Sequence, residues 1–203
     1  QRVHVASERW RAGVAFEALG GPREALGPND ASLVLRVAYG GTAFLFPGDV
    51  EAAGGQTILE AADAAGVYIP RLCHHKDLPP AGHCRICSVK VNGKVTNACT
   101  MPAMDGLVVE NDTEELTAHR RRIVEMLFVE GNHFCPVCEK SGACELQALA
   151  YRLGMTAPTL PYLFPKRPVD ATHHDVFIDR NRCVLCGRCV RASRERDHKA
   201  LFG

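Results

Sequence analysis

Charge of one sign is what this sequence has least of. Lys and Arg total 24 against 23 Asp and Glu, a net of +1. That balance argues against a general polyanion binder and against nucleic acid as a partner. Long hydrophobic runs are missing too: the apolar stretches last only a few residues, where a bilayer span takes about 20. No charged start leads into an apolar stretch and a small-residue cleavage site, so nothing marks the chain for export. There is no P-loop, no nucleophile elbow, and no GxGxxG between a strand and a helix. A flavin or nicotinamide site is therefore not expected in these residues. The expected setting is a reducing cytoplasm, with no direct membrane insertion.

What the sequence does have is cysteine. Ten are present, in three bunches: Cys73, Cys84, Cys87 and Cys99; Cys135, Cys138 and Cys144; Cys183, Cys186 and Cys189. An even count invites a disulfide framework, but without an export signal that reading is weak. Two-residue gaps recur in every bunch. Such a loop can turn two thiolates and several backbone N–H groups towards one centre, which is what metal chelation asks for.

The 203 residues suffice for one domain with a good core or for two to three small ones. The local signals predict an α+β chain. Residues 1–31 carry Gly20-Gly21-Pro22 and Gly27-Pro28-Asn29-Asp30 and read as an unassigned tail or linker. Leu33–Val37 and Thr42–Phe46 read as a hairpin turning near Gly40-Gly41. Thr57 and Glu60 form a capping box for a helix that Gly66 ends. Asn92-Gly93 between Ser88–Val91 and Lys94–Thr96 is a strong hairpin signal. Leu107–Glu110 reads as a further strand, and the unit spans 32–111.

In 112–154, Asp112 and Glu115 predict a helix to about Glu130, with Leu116, Ile123, Leu127 and Met126 on its apolar side. A cysteine loop and a helix from Ala143 to Leu153, closed by Gly154, follow. Residues 155–174 hold Pro158, Pro161, Pro165 and Pro168 and read as an extended connector. In 175–203, Val176-Phe177-Ile178 reads as a short strand and Val190 to about Arg196 as a helix. The start at Gln1 and the apolar end Leu201-Phe202-Gly203 read as truncations.

Cys73-x10-Cys84-x2-Cys87-x11-Cys99 has two thiolates in a tight loop and one on each side. That is the logic of a [2Fe–2S] site, although the plant type has four residues in the first gap. The alternative is zinc on four thiolates, which favours paired CxxC units where only one is present. Gly82 would let backbone approach such a centre, and His74, His75 and His83 read as solvated loop residues.

Cys135-x2-Cys138-x5-Cys144 supplies three thiolates, one short of a [4Fe–4S] set. His133 is the candidate fourth ligand, since imidazole binds iron. Water, the Ser141 hydroxyl or a distant group are the alternatives, and His119 is less well placed. A neutral imidazole in place of thiolate would raise the potential.

Cys183-x2-Cys186-x2-Cys189 opens like a bacterial ferredoxin run, but Ser193-Arg194 stands where Cys-Pro would follow. The readings are a second [4Fe–4S] site with its last ligand outside this chain, a three-iron centre, or Ser193 as an oxygen ligand. Arg180, Arg182, Arg188, Arg191, Arg194 and Arg196 flank the group. They either offset negative charge and guide docking or form a solvated face.

Several segments together resemble a known family. They are Val67–Cys73, Cys84–Gly93, Glu130–Pro136 and Cys138–Cys144. Their order is similar to the amino-terminal part of the large iron–sulfur subunit of respiratory complex I. It is closer still to the diaphorase small subunit of NAD-reducing [NiFe] hydrogenases. The resemblance covers about 32–203. It implies a [2Fe–2S] ferredoxin-like (β-grasp) domain, a helical His/Cys-ligated [4Fe–4S] segment and the start of a bacterial-ferredoxin-like [4Fe–4S] domain, whose fourth cysteine comes much later in the family. The complex I pattern His-x3-Cys would put its ligand at Gly131, whereas here the histidine is His133. That departure favours the hydrogenase branch.

The expected role is one-electron relay between hydrogenase subunits and a flavin/NAD-binding diaphorase subunit, with no catalytic site of its own. The alternatives are the equivalent region of complex I or of an NAD-dependent formate dehydrogenase and, from another class, a zinc-stabilised binding module without redox activity.

Overall fold

The computed structural model describes residues 56–104 and 106–202, with the backbone of three further strands. The Gly/Pro linker signals and the Gly40-Gly41 turn lie outside the described residues. The chain falls into two compact units. One takes the residues up to Pro70, Pro80–Gly82 and Cys87–Thr117; the other takes Arg71–Pro79, His83–Ile86 and everything from Ala118 on.

The first unit is built on a six-stranded sheet of order β1-β2-β3-β6-β4-β5. Its strands are β1 (Val14–Leu19), β2 (Val34–Tyr39), β3 (Thr42–Pro47), β4 (Ser88–Val91), β5 (Lys94–Asn97) and β6 (Val109–Glu110). β2 and β3 pair antiparallel, as expected of a hairpin. β1 falls inside the stretch expected to be tail. It pairs antiparallel with β2 from Val14↔Tyr39 to Leu19↔Val34, a non-local pairing that no local pattern announces. β6 is shorter than Leu107–Glu110 and sits between β3 and β4, antiparallel to both. The β4–β5 turn needs left-handed backbone at both central residues, and Asn92 (φ 48°) and Gly93 (φ 81°) supply it.

Helix α1 (Ile58–Ala64) opens with the predicted capping box. Glu60 N donates to Thr57 Oγ1 at 3.3 Å, and Thr57 N donates to Glu60 Oε2 at 2.8 Å. Its end is a Schellman turn: Gly66, at φ 69°, donates to Asp63 O at 3.0 Å, and Val67 to Ala62 O at 2.8 Å. The first-turn amides of Ile58 and Leu59 donate to Met101 O and Ala98 O, both at 2.9 Å. Orphan donors of the helix start thereby fix the turn after β5 that carries Cys99. Leu59, Ile69, Val89, Ala98 and Cys99 are at most 1% exposed in the core beneath.

Helix α2 (Glu114–Glu130), which belongs to the second unit from Ala118 on, is capped by Thr113, whose Oγ1 accepts from Leu116 N at 3.2 Å. Thr113 takes the place expected for Asp112. Leu116, Val124 and Phe128 are buried at four- and eight-residue steps, while Met126 is 47% exposed. At 100° per residue Met126 points almost opposite to Val124, so it leaves the expected apolar side. Ile123 and Leu127 are partly buried against the same cluster. α3 (Glu145–Arg152) ends in a second Schellman turn, with Gly154 at φ 68°. α2 and α3 share a core of Leu72, Ile86, Val124, Phe128, Leu146 and Leu149 with their neighbours.

The connector is extended but pinned. Leu163 N donates to Val129 O at 2.9 Å, and Arg167 Nη2 pairs with Glu130 Oε1 at 2.7 Å. The strand expected at Val176–Ile178 is only a single bridge, Asp170↔Ile178. α4 (Arg188–Glu195) starts two residues earlier than expected. No helix among the described residues is long and apolar enough to cross a membrane.

Candidate metal centre

The strand Ser88–Val91 and the α1-anchored segment place Cys87 and Cys99 in the apolar core of the first unit, 1% and 0% exposed. In the second unit Cys73 is buried, 2% exposed, with Cys84 half-buried beside it. Cys73 N points at Cys84 Sγ across 3.5 Å. The hydrogen bond with the Cys73 thiol, then burial, push the Cys84 thiol far above the ordinary range. Two thiolates so close repel each other unless a cation lies between them, so this pair fits a metal ligand role. Arg85, at φ 62°, makes the turn from Cys84 to Cys87.

Gly82 also has a left-handed φ, 66°, and a Cβ there would meet Thr100 Cγ2 at 2.9 Å. Its small size answers to that contact. His75 and His83 are exposed, as expected, but His74 is buried. It follows Cys73 into the interior instead of meeting solvent.

The second group is held by loops on both sides of a cavity of about 250 Å3. Cys135, Cys138, Cys144 and His133 line it, with Leu72 and Phe128 as apolar wall. Cys186, from the third group, lines the same cavity. His133 folds back on Gly131 so tightly that a Cβ at 131 would lie 2.4 Å from Nε2. Phe128 meets the imidazole edge-on at 5.6 Å. Burial, with the Arg167 and Arg182 charges, holds His133 below its usual range, in the neutral form that binds metals. Its Nε2 is buried with no hydrogen-bond partner, which fits a nitrogen reserved for a metal.

No three of these cysteine and histidine donors lie within 4.8 Å of one another among the described residues.

Polar side chains shape this frame. Buried Gln147 accepts from Gly142 N at 2.7 Å and donates to Ser141 Oγ at 3.3 Å. Ser141, an alternative ligand, is thus engaged by the loop's own brace. Asn132 donates to Pro165 O at 2.8 Å and to Asn181 Oδ1 at 2.6 Å. It joins the histidine loop to the loop before Cys183. Asn132 and Asn181 did not stand out in the sequence, because they lie 49 residues apart. His119 is exposed on α2, away from the buried set.

In the third group Cys183 and Cys189 are exposed and Cys186 half-buried. Leu185, at φ 56°, donates its N–H to Cys183 Sγ at 3.4 Å, the backbone-to-sulfur geometry of a cluster loop. Ser193 is buried, and its hydroxyl accepts from Leu201 N at 2.8 Å. The flanking arginines divide. Arg182 and Arg188 pair with carboxylates and Arg194 with Glu195, while Arg191 is buried. Apart from the cysteines, His173, His174 and Asp175 bring three donor atoms within 4.8 Å on the exposed surface.

Comparison with known proteins finds iron–sulfur binding regions in this chain. Residues 48–114 match the family described as 2Fe-2S iron-sulfur cluster binding domain. Residues 120–158 match the NADH-ubiquinone oxidoreductase-G iron-sulfur binding region. The NAD-reducing hydrogenase HoxS subunit gamma of Cupriavidus necator is 49% identical over 142 residues, covering 70% of this chain and 61% of that protein. The mitochondrial NADH-ubiquinone oxidoreductase 78 kDa subunit of Candida albicans is 40% identical over 141 residues, 68% of this chain and 20% of that one. A crystal structure of NAD+-reducing [NiFe]-hydrogenase in the H2-reduced state matches with a TM-score of 0.68 and 55% identity. That match covers 70% of this chain and 61% of the other. The chain therefore spans about three fifths of the hydrogenase relatives' length and a fifth of the 78 kDa subunit's. With two iron–sulfur binding regions in the same order as its cysteine groups, the chain belongs with the iron–sulfur subunits of NAD-reducing hydrogenases and of NADH-ubiquinone oxidoreductase.

Proposed function

We propose that this chain relays electrons in an NAD-linked oxidoreductase, between hydrogenase subunits and a flavin/NAD-binding diaphorase subunit. Cys73, Cys84, Cys87 and Cys99 would hold a [2Fe–2S] cluster. His133, Cys135, Cys138 and Cys144 would hold a [4Fe–4S] cluster. Cys183, Cys186 and Cys189, with a ligand outside this chain, would hold a second. Bound there, such clusters supply one-electron exchange without making or breaking bonds to substrate. The chain's own residues position the thiolates, exclude water and set the local charge.

The observation that carries the reading is the cavity lined by Cys135, Cys138 and Cys144 together with His133, whose neutral imidazole keeps a buried Nε2 with no hydrogen-bond partner. The hydrogenase role rather than the complex I one is favoured by 49% identity against 40%. The test is anaerobic reconstitution with iron and sulfide. The expected product is brown, bleaches with dithionite, and shows separate [2Fe–2S] and [4Fe–4S] paramagnetic signals. His133→Cys should keep the iron while changing the [4Fe–4S] signal and lowering its potential. A colourless protein that binds zinc and no sulfide would end this reading.

A further inference from the structure

Arg191 is a charged side chain placed where charge is poorly tolerated. It lies on α4, two residues past Cys189, and is only 7% exposed. Its terminal nitrogens donate to two carbonyls of the loop that begins at Cys73: Nη1 to Pro79 O at 2.5 Å, and Nη2 to Cys73 O. Its Nε is buried without a partner. Two neutral carbonyls orient a guanidinium but do not neutralise it, and a buried cation needs an anion nearby. Among the described residues no carboxylate pairs with it. Cys73, as a thiolate ligand of an anionic centre, would be that anion.

Arg196, further along the chain, is a useful contrast. It grips the same loop, Nε and Nη2 reaching Asp77 O at 2.9 and 2.5 Å, but from the exposed surface. Water and salt screen its charge. Arg191 is not screened in this way.

We propose that Arg191 is a positioning and potential-setting residue for the centre that Cys73 helps to hold. Its fork fastens the Cys73–Pro79 loop to α4, the helix that carries Cys189. Its charge favours the reduced state, which is one unit more negative than the oxidised state. The order of α4, which starts after Gly187, between Cys186 and Cys189, thereby acts on the potential of the first centre. This inference rests on Cys73 being a cluster ligand.

The test is a redox titration of the cluster-loaded chain in its complex, with dithionite as reductant and the [2Fe–2S] paramagnetic signal as readout. Hydrogen exchange over 73–79 is measured alongside. In R191M the ratio of reduced to oxidised centre at the parent's midpoint should fall about tenfold, equivalent to about 59 mV for one electron. R191K keeps the charge and loses the fork, so the ratio should move less than threefold while the loop exchanges at least tenfold faster. R196Q should loosen the loop around Asp77 and leave the ratio where it was.

An R191M ratio equal to the parent's, or an R191K shift as large as that of R191M, overturns the electrostatic role. Unchanged exchange in R191K overturns the clamp, and this arm decides alone if R191M does not assemble. A parent protein that holds iron but gives no [2Fe–2S] signal refutes the cluster assignment itself, and this inference with it.

Discussion

The cysteines of the first unit and those of the second are held by different physics. Cys87 and Cys99 sit within an apolar core of Leu59, Ile69, Val89 and Ala98, closed by strand pairing and by the start of α1. Cys135, Cys144 and Cys186 sit at the margin of their core, Cys138 is half-buried, and Cys183 and Cys189 reach solvent. Polar side chains order their loops: Asn132 with Asn181, Gln147 with Ser141 and Gly142, and Arg191 with the Cys73 carbonyl. A core of fully buried aliphatic side chains can hold its shape without metal. Loops braced by a few hydrogen bonds need the metal's binding energy as part of their folding energy.

Stripping the iron should separate the two regions most sharply. After anaerobic chelation, hydrogen exchange should remain slow over α1 and the β4–β5 hairpin. Over 132–144 and 180–187 it should speed up by orders of magnitude. Equal loss of protection across both regions would abolish the contrast.

Two glycines sharpen it at single-residue scale. Gly131→Ala puts a Cβ 2.4 Å from His133 Nε2, so the imidazole must leave its place. Overpacking of this kind costs about 1–3 kcal/mol. The expected sign is a lower iron content and an altered [4Fe–4S] signal, with the [2Fe–2S] signal kept. Gly82→Ala meets Thr100 Cγ2 at 2.9 Å with φ at 66°. Its left-handed backbone adds about 1–2 kcal/mol, and the Thr100 side chain can turn aside. This variant should lower the thermal midpoint and spare the [4Fe–4S] signal. Identical spectra for the two variants would mean that the regions do not differ as described.

What the sequence made legible was local. The Thr57–Glu60 box, the Asn92-Gly93 turn and the Gly66 and Gly154 stops each involve residues within a few positions, and each forms as expected. Cysteine spacing is local in the same sense, and it directed attention to the loops that frame the cavity. What escaped depends on distance along the chain. β1 needs β2 to be a strand. Asn132 and Asn181 mean nothing until a loop 49 residues away arrives. Arg191 reads as one arginine among six until its partner, 118 residues earlier, is known. Met126 failed for another reason: on a helix with buried Arg120 and Glu125, apolarity alone misidentifies the inward face.

Glu125 gives the smallest of the expected effects and the one most specific to the second region. It is 4% exposed on α2. Its Oε1 accepts from Thr159 Oγ1 at 2.6 Å, from Leu160 N at 2.9 Å and from Thr159 N. Arg122 Nη1 pairs with Oε2 at 2.7 Å. The Thr159 hydroxyl and backbone bonds, helped by Leu160 and Arg122, pull the carboxyl from 4.5 down to about 2. Since the folded value is depressed, its stabilisation is fully present above pH 4.5 and fades as pH falls from there towards 2. Glu125→Gln should therefore unfold faster than the parent at pH 7, with the connector over 155–163 released first. In rapid pH jumps, timed to precede acid loss of sulfide, the difference should narrow below pH 4.5 and nearly vanish towards pH 2. A gap that stays constant through this range would mean that the carboxylate does not hold the connector. The polar bracing of the second region would then rest on its asparagines and arginines alone.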